Sequence, residues 1–349
     1  MRAAYSPYRL IFKFNAGTSR GVLTYKDTYF IKVWDENEPE CFGIGECALF
    51  RGLSAEDVPE YETVLRDVCR AISNGQQVDV SLYSSIMFGL ETALYDFSNG
   101  CKREYYKSPF IYGKMPIRIN GLVWMGSKAE MLTRIKEKID AGFKTIKLKV
   151  GAIDFEEEVE MIAAIRKEHP ASEIEIRLDA NGGFSVDSAL EKLKRLSDFG
   201  IHSIEQPIKA GNWAEMARLC RESPIHIALD EELIGINDYL TMNELLRNIH
   251  PQYIIIKPSL VGGISRSEDW LKMAAQYNIG GWVTSALESN IGLAAIAQWV
   301  ATLMPLIPQG LGTGNLFTNN FASPLVQEKD YITYNPMLHF EIPGLKWIN

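Results

Sequence analysis

The 349-residue chain is poor in the residues that build disulfide scaffolds and zinc centres. Its five cysteines (Cys41, Cys47, Cys69, Cys101, Cys220) are odd in number and show no Cys-x-x-Cys spacing, so neither a disulfide framework nor a thiolate zinc site is expected. The five histidines are scattered at 169, 202, 226, 250 and 339, none at metal-ligand spacing from another. No run approaches the roughly 18 apolar residues of a membrane span. No basic cluster appears, and the net charge of -8 argues against binding nucleic acid or an anionic membrane. The opening segment MRAAYSPYRLIFKF has no apolar core of a signal peptide, so a reducing cytoplasm is the expected setting. What remains is an ordinary globular composition, 46% apolar and 23% charged, with length enough for one large domain or two.

Two zones follow from the patterning. Residues 1–112 read as α+β: RLIFKF, GVLTYKDTYFIKVWD and CFGIGEC alternate like antiparallel strands, and helices are expected over 54–73 and 81–100. From about Met115 strands alternate with helices. Ser127 and Glu130 form a capping box ahead of Leu132, Ile135 and Ile139, and Gly142 closes that helix. Strand-like TIKLKV, EIEIRLDAN, HSIEQP, HIALDEE, YIIIKPS, GGWVTSALES and PQGLGTG continue the series begun by PIRINGLVWMG. Eight such units predict a (β/α)8-type barrel over 113–324 with an α+β capping domain built from 1–112 and the tail 325–349. The rival is a doubly wound open sheet, disfavoured because no Gly-x-Gly-x-x-Gly turn follows the first strand.

Charge inside these strands is the informative feature. In TIKLKVG, Ile146, Leu148 and Val150 face one way and Lys147 and Lys149 the other. Outward strand faces of a barrel meet helices and must be apolar, so the lysines point inward. The same alternation sends Asp179, Glu205, Asp230 and Lys257 inward from the next four strands, at intervals of 30, 26, 25 and 27 residues from Lys149. Three converging carboxylates repel one another unless a cation joins them, and an oxygen-only set favours Mg²⁺. A lysine beside a divalent cation and a second ammonium is pushed toward the amine, a usable base. Together these describe removal of a proton α to a carboxylate, with the cation stabilising the enolate. The bland alternative is a set of structural ion pairs, with Lys147 and Lys149 paired to Glu175 and Asp179. Five charges on five successive strands are hard to explain that way, whereas Lys147 alone, or Arg177 one layer below Asp179, is readily explained so.

The set KLK, LDAN, IEQP, LDE and KPS resembles the muconate-lactonizing subgroup of the enolase superfamily over nearly the whole chain, including FGIGEC in the cap. Enolase-superfamily sites use a Lys or His base with Mg²⁺ at an enediolate. The resemblance implies Asp179, Glu205 and Asp230 as Mg²⁺ ligands, Lys149 as general base, Lys147 as its pKa-lowering neighbour and Lys257 as the lysine across the substrate. Asn181 matches the Asn that follows the metal Asp by two; Arg177 is grouped with it as substrate-binding. Dipeptide epimerases carry Asp-x-Asp on the last strand, where this chain has GLGTG. With SALESNIGL, this resembles the o-succinylbenzoate synthase family and implies Ser285, Ser289, Gly312 and Thr313 as contacts for a succinyl carboxylate. The implied reaction is an Mg²⁺-dependent dehydration of a small carboxylate in menaquinone biosynthesis. N-succinylamino acid racemase, muconate-type cycloisomerase and a non-catalytic metal-binding barrel remain as alternatives. Segments 14–23 and 47–54 are expected as mobile cap loops over the barrel mouth. The sequence gives no oligomeric state.

Overall fold

The computed structural model describes residues 1–18, 21–151 and 153–349. Strands β1 (Arg2–Thr18), β2 (Gly21–Trp34) and β3 (Phe42–Cys47) form an antiparallel sheet in that order. Helices α1 (Tyr61–Ser73) and α2 (Ser84–Ser98) pack on one face of it. The helix expected from residue 54 starts only at Tyr61, because Pro59 keeps its predecessor out of the helical region. Gly43, Gly45 and Cys47 share the face toward α2, and the missing side chains let that helix rest directly on the strand. A Cβ on Gly45 would collide with the Gly89 carbonyl and Thr92 Oγ1, and one on Gly43 with the Ala93 carbonyl. Ile44 and Glu46 consequently face the other way, toward the barrel.

The barrel begins with β4 (Ile117–Arg118) and β5 (Gly121–Val123). There follow α3 (Lys128–Asp140), β6 (Thr145–Lys149), α4 (Phe155–Glu168), β7 (Glu175–Asp179), α5 (Val186–Ser197), β8 (Ser203–Glu205) and α6 (Trp213–Glu222). The series continues with β9 (His226–Leu229), α7 (Tyr239–Ile249), β10 (Tyr253–Ile256), α8 (Pro258–Val261), α9 (Gly263–Gln276), β11 (Gly280–Val283) and α10 (Asn290–Thr302). Strands β5 to β11 form one parallel sheet in sequence order. The capping box of α3 is present as expected.

The sheet closes through Gln309 and Gly310. Asn120 N donates to the Gln309 carbonyl at 2.9 Å, and Gly310 N to the Val283 carbonyl at 2.8 Å. The eighth unit is therefore a two-residue rung, and among the described residues no helix follows it. Outward residues such as Ile146, Leu148, Ile176, Leu178, Ile227, Leu229, Ile254 and Ile256 join the main core under the helices. Inside the barrel, Ala228, Ile255 and Trp282 form a small separate layer.

The tail divides. Strands β12 (Leu325–Glu328) and β13 (Tyr331–Tyr334) extend β4, so this part belongs with the barrel. Only the end returns to the cap: Ile348 N donates to the Tyr5 carbonyl at 2.7 Å, and Trp347 packs near Phe30 and Ile44. One cysteine expectation is corrected, for Cys41 and Cys101, 60 residues apart, form a disulfide with a Cα–Cα distance of 5.7 Å. No spacing motif marks such a pair; only the fold brings it together. Among the described residues no helix is long and apolar enough to cross a membrane.

Overpacking typically costs about 1–3 kcal/mol, and the collision at Gly45 is with backbone, which cannot turn aside. Gly45→Ala is expected to lose about 3 kcal/mol of stability in urea unfolding. A loss under about 0.5 kcal/mol, the range of an ordinary surface substitution, would contradict this packing.

Candidate active site

Because the outward positions are taken by aliphatic residues, the charged ones have only the barrel interior to occupy. Lys149, Asp179 and Glu205 each end their strand, with Lys149 opposite Asp179 and Asp179 opposite Glu205 in register. Strand β9 is staggered. Glu205 lies opposite Ala228, so Asp230 stands two residues further along, and Ala228 opposite Tyr253 carries Lys257 higher again. Equal chain spacing predicts one height; the shear of the barrel turns it into a staircase.

Ammonium and carboxylate groups interleave along it. Lys147 Nζ reaches Asp179 Oδ2 at 2.9 Å and also pairs with Glu205. Lys149 Nζ donates to Asp179 Oδ2 at 2.8 Å and to Asn181 Oδ1 at 2.6 Å. Lys257 Nζ donates to Asp230. Burial opposes the charge on Lys147, yet Asp179, Glu205 and Asp230 outweigh it and hold this ammonium above the ordinary lysine range. Lys257 is raised likewise: burial works against its charge, and Asp230 and Glu205 prevail. For these two lysines the carboxylates dominate over the crowding of cations that the sequence suggests. Burial also works against Asp179, but Lys147, Lys149 and Lys257 keep its carboxyl well below the usual carboxylate range. Glu205 goes the other way, pushed up by burial and by the charge of Asp179.

The donor set fits a hard divalent cation. Asp179, Glu205 and Asp230 offer only oxygen, from adjacent rigid strands. Glu205 Oε1 is buried without a hydrogen-bond partner, with Lys257 Nζ 3.7 Å away. Among the described residues no three His, Cys, Asp or Glu side chains already converge as a metal cage, because the lysine ammonium groups stand between the carboxylates. Three lysines interleave with three carboxylates here, and a divalent ion would add two positive charges to this end of the site.

A cavity opens over this array, between barrel and cap. Lys147, Lys149, Asp179, Asn181 and Lys257 form its polar end. Phe50 and Leu53 descend from the cap, and Leu122, Trp124, Leu260, Ala286 and Leu287 complete the apolar wall. Ser285, Gly310, Gly312 and Thr313 supply a narrow end of small residues. Asn181, Ser285, Gly312 and Thr313 are thus brought to the cavity with the lysines. Glu205 and Asp230 sit behind the lysines that line it.

Two expected contacts lie elsewhere. Arg177 is in the lower layer, with its guanidinium 4.5 Å from the Trp282 ring centre, Nε donating to Glu175 and Nη1 to the Pro308 carbonyl. It faces inward as its parity requires, but beneath the charged array. Ser289 is wholly buried as the N-cap of α10, and its hydroxyl donates to Glu46 Oε2 at 2.6 Å. The expected loop at 14–23 is chiefly the extended end of the β1–β2 hairpin, which reaches the barrel through a Gly17–Met125 bridge; Ser19 and Arg20 lie outside the described residues. The segment 47–54 does reach the cavity.

Sequence reading missed Gln206, whose carbonyl oxygen accepts from Asp230 N and Glu232 N while its amide donates to Glu232. It ties the end of β8 to the turn after β9. Its signal was its place directly after an inward carboxylate. The apolar wall carried no signal, since Phe50, Leu53 and Trp124 read as ordinary core residues.

The family described as enolase C-terminal domain-like matches residues 130–336. The o-succinylbenzoate synthase of Desulfotalea psychrophila is 43% identical over an alignment covering 93% of this chain and 96% of that protein. The crystal structure of MenC from Desulfotalea psychrophila LSv54 superposes with a TM-score of 0.82 at 40% identity, covering 95% of this chain and 99% of that one. The L-Ala-D/L-Glu epimerase of Bacillus subtilis is 26% identical, over 81% of this chain and 73% of that protein.

Breaking a buried ion pair by removing one partner costs about 3–5 kcal/mol, because the remaining charge is left uncompensated. Lys147→Met is expected to lose about that much stability in urea unfolding with EDTA present. A loss below about 1 kcal/mol would show that Lys147 is no part of the charge balance.

Proposed function

The chain belongs to the enolase C-terminal domain-like family, and from that premise we propose that it converts 2-succinyl-6-hydroxy-2,4-cyclohexadiene-1-carboxylate to o-succinylbenzoate, a dehydration of menaquinone biosynthesis. In this reading residues 1–112 and the end of the tail 325–349 form the cap, and 113–324, extended by β12 and β13, the catalytic barrel. One observation carries the assignment of roles: Lys149 and Lys257 line the same cavity from strands four places apart in a ring of eight, hence from opposite sides.

Asp179, Glu205 and Asp230 would hold Mg²⁺, which supplies fixed positive charge against the carboxylate of the substrate as it gains enediolate character. Lys149, oriented by Asp179 and Asn181, takes the ring proton α to that carboxylate in its amine form. As an ammonium it returns the proton to the departing hydroxyl, so that water leaves and the ring becomes aromatic. Lys257 keeps its charge beside Asp230 and faces the ring from the other side, where an ammonium stabilises the electron-rich intermediate. Phe50, Leu53 and Trp124 keep water from the reacting carbons. The succinyl carboxylate would extend to Ser285, Gly312 and Thr313, an end of the cavity without an acidic lining residue. A dipeptide substrate brings an ammonium group, which that end offers nothing to receive.

The test is direct assay of the dehydration with Mg²⁺ and with EDTA. Wild-type turnover is expected with Mg²⁺ and its loss with EDTA. Lys149→Ala is expected to lower kcat by about a thousandfold or more while circular dichroism stays native. Dehydration at the wild-type rate by that variant would sink the assigned role. The same pair of opposed lysines also suits racemisation of N-succinylamino acids by two bases. Lys257→Arg is therefore expected to keep part of the dehydration and lose any racemisation, because arginine stays protonated. Racemisation at an unchanged rate would contradict the two-base geometry.

A further inference from the structure

We infer that Lys26, a residue of the capping sheet that does not line the cavity, is a positioning residue for substrate binding, fixing the apolar cavity wall by gripping the turn that carries it. The inference rests on the cavity being the substrate site proposed above. Lys26 lies on β2 in register with Leu10 and is 6% exposed. Its Nζ donates to the carbonyls of Ala286 and Leu287, each at 3.0 Å. The side chains of those two residues wall the cavity. Phe50, also in the wall, presents its ring 5.7 Å from the same nitrogen.

The turn needs such a grip. Leu287 has a φ of +64°, a left-handed conformation uncommon for a residue with a branched side chain. Two carbonyls that point out of a turn toward the cap require a donor when buried, and Lys26 supplies both. The rest of the turn is held from the barrel. Ser285 Oγ donates to Glu288 Oε2 and accepts from Leu287 N, Ser259 Oγ donates to Glu288 Oε1, and Thr313 Oγ1 donates to Ser285 Oγ at 2.8 Å. Glu46 on β3 accepts from Ser289 N and Oγ. Cap and barrel thus hold one five-residue turn between them, and Lys26 is the cap's hold on the part that faces substrate. The strand that carries Lys26, paired to β1 at Lys26 itself, sets where the wall stands.

The test compares KM and kcat for the dehydration in wild type, Lys26→Met and Lys26→Arg. Methionine keeps the length but donates nothing. Lys26→Met is expected to raise KM by about tenfold or more, with kcat within about threefold of wild type. Lys26→Arg, which retains donors, is expected to bring KM back to within about threefold. Lys32→Met, on the same strand but packed on Trp34 and Trp347, is expected to leave KM unchanged. An unchanged KM in Lys26→Met, whether or not kcat falls, overturns the inference, because a merely structural lysine would lower the amount of active enzyme and not its affinity. Should Lys26→Met not fold, Lys26→Gln, too short to reach both carbonyls, takes its place with the same outcomes. If the wild type does not turn over this substrate, the functional reading fails by itself. The inference is then read by amide hydrogen exchange over 285–292, expected about tenfold faster in the variant with β6 to β10 unchanged. Equal exchange overturns it.

Discussion

Everything in this molecule is arranged around the mutual neutralisation of three lysines and three carboxylates at the ends of five adjacent strands. Moving any one of these charges from water into a barrel costs several kcal/mol, roughly, and the cost is offset only when its opposites are within hydrogen-bond reach. The array meets that condition as a set. Lys147 is shared by Asp179 and Glu205, Asp179 is shared by Lys147 and Lys149, and Lys257 lies between Asp230 and Glu205. The parallel sheet makes the set possible, since its register puts Lys149, Asp179 and Glu205 side by side without any loop to hold them. Strand alternation and the aliphatic outer face then leave the charges no other side to occupy.

That dependence explains why so much of the site was legible. Period two gives the face of each strand, and a repeat of about one βα unit gives the neighbour, so Lys149, Asp179, Glu205, Asp230 and Lys257 could be grouped from spacing alone. Height along the barrel axis is a different quantity. Parity sends Arg177 inward as surely as Asp179, but two residues of a strand separate a cavity floor from a buried layer, and Arg177 belongs to the layer with Trp282. The stagger of β9 and β10 is invisible for the same reason: shear belongs to the closed sheet and not to any one strand. The barrel's last unit illustrates the limit from the other side. PQGLGTG reads as a strand, and only Gln309 and Gly310 serve as one, enough to close the ring.

Contacts between distant segments were not legible at all. The family resemblance implies Ser289, a small polar residue near a small-residue end, as a substrate contact. The same features make it an N-cap, and Glu46, 243 residues away, decides between the two roles. Cys41 and Cys101 meet only because β3 and the end of α2 are neighbours in the cap. The cavity's apolar wall is of this kind too, built from a cap segment, the first barrel strand and the turns after β10 and β11.

The glycines of FGIGEC connect these levels. Gly43 and Gly45 let α2 close on β3, which fixes the strand from behind. Strand alternation then turns Glu46 toward the barrel, where it accepts from Ser289 N, Ser289 Oγ and Gly292 N at the start of α10. The same glutamate accepts from Thr28 Oγ1 on β2, two residues beyond Lys26. A packing requirement on one face of β3 thereby becomes a positional constraint on the other, and it reaches the turn that walls the cavity through buried hydrogen bonds. A cap attached by apolar contact alone would tolerate small slides, because such contact is non-directional. Buried carbonyls and carboxylates with defined partners do not tolerate them. The cap's polar seam therefore fixes the shape of the site, while the charged array at the strand ends fixes its chemistry.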